Sequence, residues 1–266
     1  MKTPNKLFLA WHEPTSRSWF PIGQLTFDGV RYYFVYTQGA KEAQQKCGFK
    51  PLFSFPNFNT VYTSTYLFPV FANRLMSRSR PDYLSYMQWL NIPKQEISEY
   101  EDNPIAILAR SGGERQTDNL TVFPYPEPDA EGAYHFHFFS HGLRYLPQAS
   151  IERINHLEPK EKLWLAREFQ NPHDSQALTL NTKDHYIVGY CPRYLLSEIF
   201  EILQEISNLI DLHVERVNQP PTPLHSRLLC HIIIKPNNHL QLFSRQEYQL
   251  LIKEGLISEV LENALS

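Results

Sequence analysis

Three short stretches in the second half of the chain hold residues whose chemistry is complementary. HGLRY (141–145), NPHD (171–174) and VGYCPRY (188–194) contribute Arg144, Tyr145, Asn171, His173, Asp174, Tyr190 and Arg193. Arg144 and Arg193 are cations suited to phosphate oxygens. Tyr145, His173 and Tyr190 offer flat faces on which bases stack. Asn171 and Asp174 are short hydrogen-bonding groups, and an ionised aspartate only accepts. An acceptor among cations fits a ligand that carries both phosphates and a free hydroxyl. Taken alone, NPHD also reads as a simple turn, because Asn-Pro initiates turns and Asp satisfies its own backbone at their ends.

Whether the three stretches meet depends on the elements between them. YHFHFF (134–139), EKLWLARE (161–168), QALTLNT (176–182), YIVGY (186–190), DLHVERV and RLLCHIIIK read as strands. In PRYLLSEIFEILQEISNLI the period changes. Leu196, Ile199, Leu203, Ile206 and Ile210 recur at three- and four-residue steps, an apolar helical stripe with Pro192 near its start. Six short strands and one embedded helix predict a small β-barrel with a helix across its mouth or base. On such a barrel the three stretches are strand ends and connections, able to converge on one rim.

The first half is mixed. LFLAW, WFPIGQLTF and VRYYFVYT read as strands, and GAKEAQQKCGF as a short helix closed by Gly48. RPDYLSYMQWLNI predicts a second helix, opened by Pro81 and Asp82 and burying Leu84, Met87 and either Trp89 or Leu90. FPYPEPDAEG (123–132), with three prolines and three acids in ten residues, predicts a semi-rigid linker. The expected organisation is therefore α+β, with domains at 1–128 and 129–266. The tail SRQEYQLLIKEGLISEVLENALS is helical in pattern, interrupted at Gly255.

Composition narrows the function. With 42% hydrophobic and 20% charged residues among 266, the chain reads as a globular protein. Seventeen Phe and 15 Tyr must fill much of the interior. A net charge of −3 argues against a generic basic nucleic-acid coat, though not against a local basic groove. No apolar run reaches the length of a membrane span, and the start lacks the apolar core of a signal peptide. Cys47, Cys191 and Cys230, odd in number and far apart, fit a reducing cytoplasm.

The ordered motifs G-L-R-Y, N-P-x-D-x-x-A-L and V-G-Y-x-P-R, within about residues 129 to 240, resemble a HIRAN domain, the module at the front of some DNA-remodelling helicases. The resemblance implies an OB-like barrel that holds the 3′ end of single-stranded DNA. It also implies roles for single residues. Arg144 and Tyr145 would contact the terminal nucleotides, Asn171 would make a polar contact, Asp174 would accept from the 3′-hydroxyl, and Arg193 would contact phosphate. Two positions depart from the family. His173 stands where a stacking Tyr occurs and Tyr190 where a His is found, so stacking at the smaller imidazole should be weaker.

In the first half, GAKEAQQKCGFKPLFSFPNF, LFPVFANRLMSRSRPDY and TDNLTVFPYP resemble the N-terminal subdomain of HipA-type kinases, through turns and apolar positions. No Gly-rich phosphate loop, catalytic Asp with a nearby Asn, or DFG accompanies them, so no enzyme activity and no cofactor are expected. Together the two resemblances imply a non-catalytic DNA-binding regulator whose HipA-N-like half docks a protein partner. That partner would be a HipA-like kinase toxin, giving an antitoxin role. The alternative is an accessory subunit that brings a nuclease or helicase to DNA ends in repair or phage defence.

Other groups carry competing chemistry. His135, His137 and His141, with Cys191, suggest a metal set, but no Cys pair or carboxylate cluster accompanies them. Strand alternation assigns these histidines to the solvent face, and no metal is expected. Cys191 reads as a structural cysteine rather than a nucleophile. Gly112 and Gly113 read as a turn. Arg74, Arg78 and Arg80 form either a solvated loop or a partner-facing patch.

Overall fold

The computed structural model describes residues 4–113, 115, 117–171, 174–205, 209–237 and 241–252. Over these residues the chain divides into two compact units. The described residues up to Arg78, those of Ser98–Tyr125 and those from Phe243 to 252 cluster as one, and those of Ser79–Ile97 and Pro126–Leu242 as the other. The α-helices, in chain order, are α1 (Gln38–Cys47), α2 (Pro69–Ala72), α3 (Tyr83–Trp89), α4 (Ile97–Asp102), α5 (Pro104–Ser111), α6 (Gln148–Asn155) and α7 (Arg193–Glu205). None of the helices is long and apolar enough to cross a membrane, among the described residues.

In the first unit, β1 (Lys6–His12), β2 (Trp19–Phe27), β3 (Tyr32–Tyr36), β4 (Tyr62–Ser64) and β5 (Leu120–Pro124) make one antiparallel sheet, ordered β4-β3-β2-β1-β5. Alternation along β1 sends side chains to opposite faces. Leu7 and Leu9 join a core with Ile22, Phe34, Phe55, Phe71 and Leu108. Phe8 instead meets Phe123 (5.4 Å between ring centroids), Phe243 (5.9 Å) and Tyr248 (5.2 Å). Gly48 ends α1 in the left-handed conformation (φ 68°), and its N–H caps helix carbonyls.

Several expectations change here. Phe123 and Pro124 complete β5 rather than beginning a linker, because Phe123 is fully buried between Phe8 and Trp19. The tail over 244–252 is not an α-helix. Gln246–Tyr248 is a 3-10 turn, after which Gln249 accepts from the Gln38 N–H and Leu251 donates to the Tyr36 carbonyl. Gly255 and the rest of that tail lie outside the described residues. The three arginines form no shared patch either. Arg74 is buried, Arg78 lies 3.7 Å from Glu101, and Arg80 pairs with Asp82 at 2.8 Å.

The second unit carries β6 (Tyr134–Phe139), β7 (Trp164–Arg167), β8 (Leu178–Asn181), β9 (Ile187–Tyr190), β10 (Ile210–Val217) and β11 (Leu228–Ile234). They form two antiparallel three-stranded sheets, β10-β11-β6 and β7-β8-β9. The expected closed OB-like barrel is not found among the described residues. Isolated pairings, His141 with Tyr190 and Lys162 with His213, and backbone hydrogen bonds such as that from the Leu163 N–H to the Leu212 carbonyl (2.8 Å) link the sheets without a continuous ladder. Phe136, Phe138, Leu212, Val214, Cys230 and Ile232 are all buried, in register across the first sheet.

The embedded helix, α7, is present, but its stripe is centred on Leu195, Ile199 and Ile202. Leu203 sits at the edge of that stripe and is exposed, Ile210 begins β10, and Ile206 lies outside the described residues. Helix α6 has no counterpart in the expectation. In α3, Tyr83 and Met87 are buried with the following Leu90, whereas Leu84 is 58% exposed and faces away from them. Long-range bonds hold this segment to the second unit: Asn218 Nδ2 donates to the Trp89 carbonyl (3.1 Å), and Asn91 Nδ2 to Glu215 Oε1 (2.6 Å).

Candidate functional site

The described residues of HGLRY, NPHD and VGYCPRY all fall in the second unit. Two glycines let their stretches touch. Gly142 has φ 75°, and a Cβ there would come within 2.6 Å of the Tyr190 ring. At Gly189 (φ 128°) a Cβ would meet Ser140 Oγ at 1.7 Å. Without side chains at these positions, the end of β6 and the end of β9 pair directly, with His141 and Tyr190 exchanging two backbone hydrogen bonds of 3.0 Å. The 3-10 turn Leu143–Tyr145 follows, anchored by buried Leu143. It projects Tyr145 outward at 72% exposure. The Arg144 guanidinium hydrogen-bonds the Tyr145 hydroxyl and lies 4.6 Å from its ring centroid, a cation held beside a stacking face.

Behind Tyr145 lies a pocket of about 450 Å³, walled by Tyr190, Tyr186, His185, Pro147 and Glu168 among others. Burial first, and then the charge and hydrogen bond of Glu168, push the Tyr190 phenol up. From Glu168 a chain of polar contacts runs through NPHD. Asn171 Nδ2 donates to Glu168 Oε2 (2.5 Å), and the Asp174 N–H donates to Asn171 Oδ1 (2.9 Å). Asp174 then divides its oxygens. Oδ1 accepts from the Gln176 N–H (2.9 Å), a turn contact, while Oδ2 lies 3.7 Å from Arg193 Nε at the start of α7. So Asp174 is both a turn residue and an ion-pair partner. His173 lies outside the described residues.

The family comparison bears on this stretch. Residues 133–236 match the model of the HIRAN domain. Two solved structures align with part of the chain. One is a protein from Lactobacillus plantarum, at 19% identity over 39% of this chain and 99% of that one, with a TM-score of 0.29. The other is the HIRAN domain of human HLTF, at 19% identity over 38% and 74% respectively, with a TM-score of 0.28. No curated protein matches the chain.

The HIRAN stretch also contains residues that motif reasoning passed over. Glu168 puts a carboxylate in the pocket, and it stands three residues before Asn171. Arg167, at the end of β7, places its guanidinium 4.9 Å from the exposed Phe169 ring and 5.4 Å from Phe200. Arg167 and Phe169 repeat the cation-beside-aromatic pairing of Arg144 and Tyr145. Cys191 is buried, and burial, with Cys230 adding, pushes its thiol well up. A thiol so placed stays protonated at neutral pH, which weakens its reading as a nucleophile. His141 pairs through its backbone with Tyr190, and the set His135, His137, His141 and Cys191 is not assembled as a metal site among the described residues.

Proposed function

We propose that the HIRAN domain of this chain binds the 3′ end of single-stranded DNA, without catalysis, at the face formed by Arg144, Tyr145, Asn171, Asp174, Tyr190 and Arg193. The observation that carries this reading is the exposed Tyr145 platform, flanked by Arg144 and opening on a pocket that holds a carboxylate. A base stacks on Tyr145, phosphates take the arginines, and the acidic side of the pocket repels phosphate while accepting from a hydroxyl. The test compares a linear oligonucleotide with a covalently closed single-stranded circle of the same composition. The linear strand binds more tightly if an end is read; equal binding sinks the reading.

Two further outcomes follow from the same geometry. Tyr145→Ala weakens linear DNA by about 1–3 kcal/mol, roughly five- to more than a hundredfold, as measured by fluorescence anisotropy. An unchanged affinity would place the bases elsewhere. The salt dependence is shallow: with about −0.7 per phosphate on single strands, Arg144 and Arg193 give a slope near −1.4, and Arg167 would take it to about −2. A slope several times steeper would mean that a broad basic surface is responsible.

The protein-docking half of the reading rests on the resemblance of the first half to a kinase subdomain; Phe53, Tyr66 and Val30, exposed on the first unit at 102%, 82% and 68%, are apolar side chains it would offer a partner. We take its partner to be a HipA-like kinase, in keeping with the resemblance of that half to the kinase's own N-terminal subdomain. Full-length Phe53→Ala/Tyr66→Ala protein should lose a co-purifying kinase while keeping DNA binding. Retention of the kinase by the double variant would reject this surface.

A further inference from the structure

The outer face of the sheet β10-β11-β6 carries a row of histidines. His213, His231 and His137 lie directly across from one another on the three strands. The His137 and His231 rings stack at 4.1 Å, and His213 meets His231 edge-on at 4.9 Å. A bulge adds an acid to this row. Val214 pairs with Cys230 and Arg216 with Leu229, so Glu215 is the extra residue, and its carboxylate is aimed at the histidines. Glu215 Oε1 lies 3.8 Å from His137 Nε2, and Oε2 lies 3.7 Å from His231 Nδ1. The face is not the open one that alternation suggested, for the His137 and His231 side chains are only 10% and 9% exposed.

Hydrogen bonds link the rings into a row. Asp129 Oδ2 can only accept, so His135 Nε2 donates to it across 2.9 Å. His135 Nδ1 lies 3.0 Å from His231 Nε2, so one of these two nitrogens donates to the other. When His231 donates through Nε2, its Nδ1 lone pair faces Glu215 Oε2 at 3.7 Å. In that tautomer two electron-rich atoms face each other in a mostly covered site, an arrangement that a bound cation satisfies. Asn91 Nδ2 orients the carboxylate from outside (2.6 Å to Oε1), and the Asp129–His135 pair orients His231. A hydrogen-bonded outer partner that fixes a ligating histidine, here His135 held by Asp129, is the usual support of a metal site.

We propose that His137, His231 and Glu215 form a binding site for a divalent transition metal of the zinc class. The ligand atoms all lie within 4.8 Å of one another. A tetrahedral ion with bonds of about 2.0–2.1 Å spaces its ligands roughly 3.4 Å apart, so modest side-chain rotation closes the set, with water in the fourth position. Two imidazoles and a carboxylate favour zinc, nickel or cobalt over calcium or magnesium, which require oxygen ligands. The bound ion would tie β6, β10 and β11 together.

The test titrates chelator-treated full-length protein with zinc by calorimetry, and with cobalt to read the visible bands of a four-coordinate site. One equivalent binds, and the melting temperature rises with it. His137→Ala and Glu215→Ala each weaken zinc by at least tenfold, Asp129→Ala by about ten- to a hundredfold, and His156→Ala, away from the sheet, leaves it unchanged. Circular dichroism checks the fold of each variant, and Glu215→Gln replaces any that unfolds. The proposal fails if wild type takes up no zinc tighter than about 10 μM. It fails equally if uptake survives loss of both His137 and Glu215, or if the cluster titrates with protons and no metal displaces them.

Discussion

Arg74→Ala should cost the first unit roughly 3–5 kcal/mol of stability, a large share of what a domain of this size holds. The Arg74 side chain is fully buried. Its Nε donates to the Val70 carbonyl (2.9 Å), its Nη1 to the carbonyls of Gly113 (2.8 Å) and Leu120 (3.2 Å), and its Nη2 to Asp118 Oδ2 (2.6 Å). One guanidinium thus gathers the residue inside α2, the end of α5 and the start of β5. A lysine reaches with one point charge and cannot reproduce the fork, so Arg74→Lys recovers only part of the loss. Asp118→Asn costs less, about 1 kcal/mol, because the Asp118 side chain is 31% exposed and water replaces its partner. Chemical denaturation measures all three. A loss below about 1 kcal/mol for Arg74→Ala would show that the three carbonyls find other donors.

Arg74 also illustrates where sequence reasoning stops. Its neighbours in NRLMSRSR made it look like one cation of a surface cluster. Only long-range contacts, to Gly113 and Leu120 some forty residues on, turn it into a core residue. Local signals fared better. Gly48 announced the end of α1, and the alternation in YHFHFF gave β6 its buried Phe136 and Phe138. The same alternation put His135 and His137 on one face, yet could not show that β10 and β11 bring Glu215 and His231 to it. A bulge that re-aims Glu215 leaves no mark in hydrophobic periodicity. In the candidate site, the motifs give Gly142 and Gly189 no reason to be glycine. Their contacts with the Tyr190 ring and Ser140 explain why a side chain is not tolerated there. Glu168 was overlooked because a strand-end glutamate is ordinary until Asn171 and Tyr190 are seen bonded to it.

Blocking the 3′-hydroxyl of the bound strand with phosphate should weaken binding by about 1.5–3 kcal/mol, or roughly ten- to more than a hundredfold. The change removes a hydrogen-bond donor and sets a dianion near the carboxylates of Asp174 and of Glu168, which lines the pocket. Asp174→Asn isolates the first contribution. An asparagine keeps the Oδ1 contact with the Gln176 N–H, so the turn survives, while the acceptor facing Arg193 becomes an amide donor. This variant should bind 3′-hydroxyl DNA less well and lose most of its preference over the phosphate, with a melting temperature near that of wild type. If Asp174 serves the turn alone, the preference stays intact. Glu168→Gln separates the two carboxylates, since it abolishes the preference only if Glu168 is the group that accepts from the hydroxyl. Tyr145→Ala should weaken both strands alike, because a stacking face does not sense the terminus. Wild-type protein that binds hydroxyl and phosphate ends equally well would mean that the HIRAN domain of this chain does not read a free 3′ end.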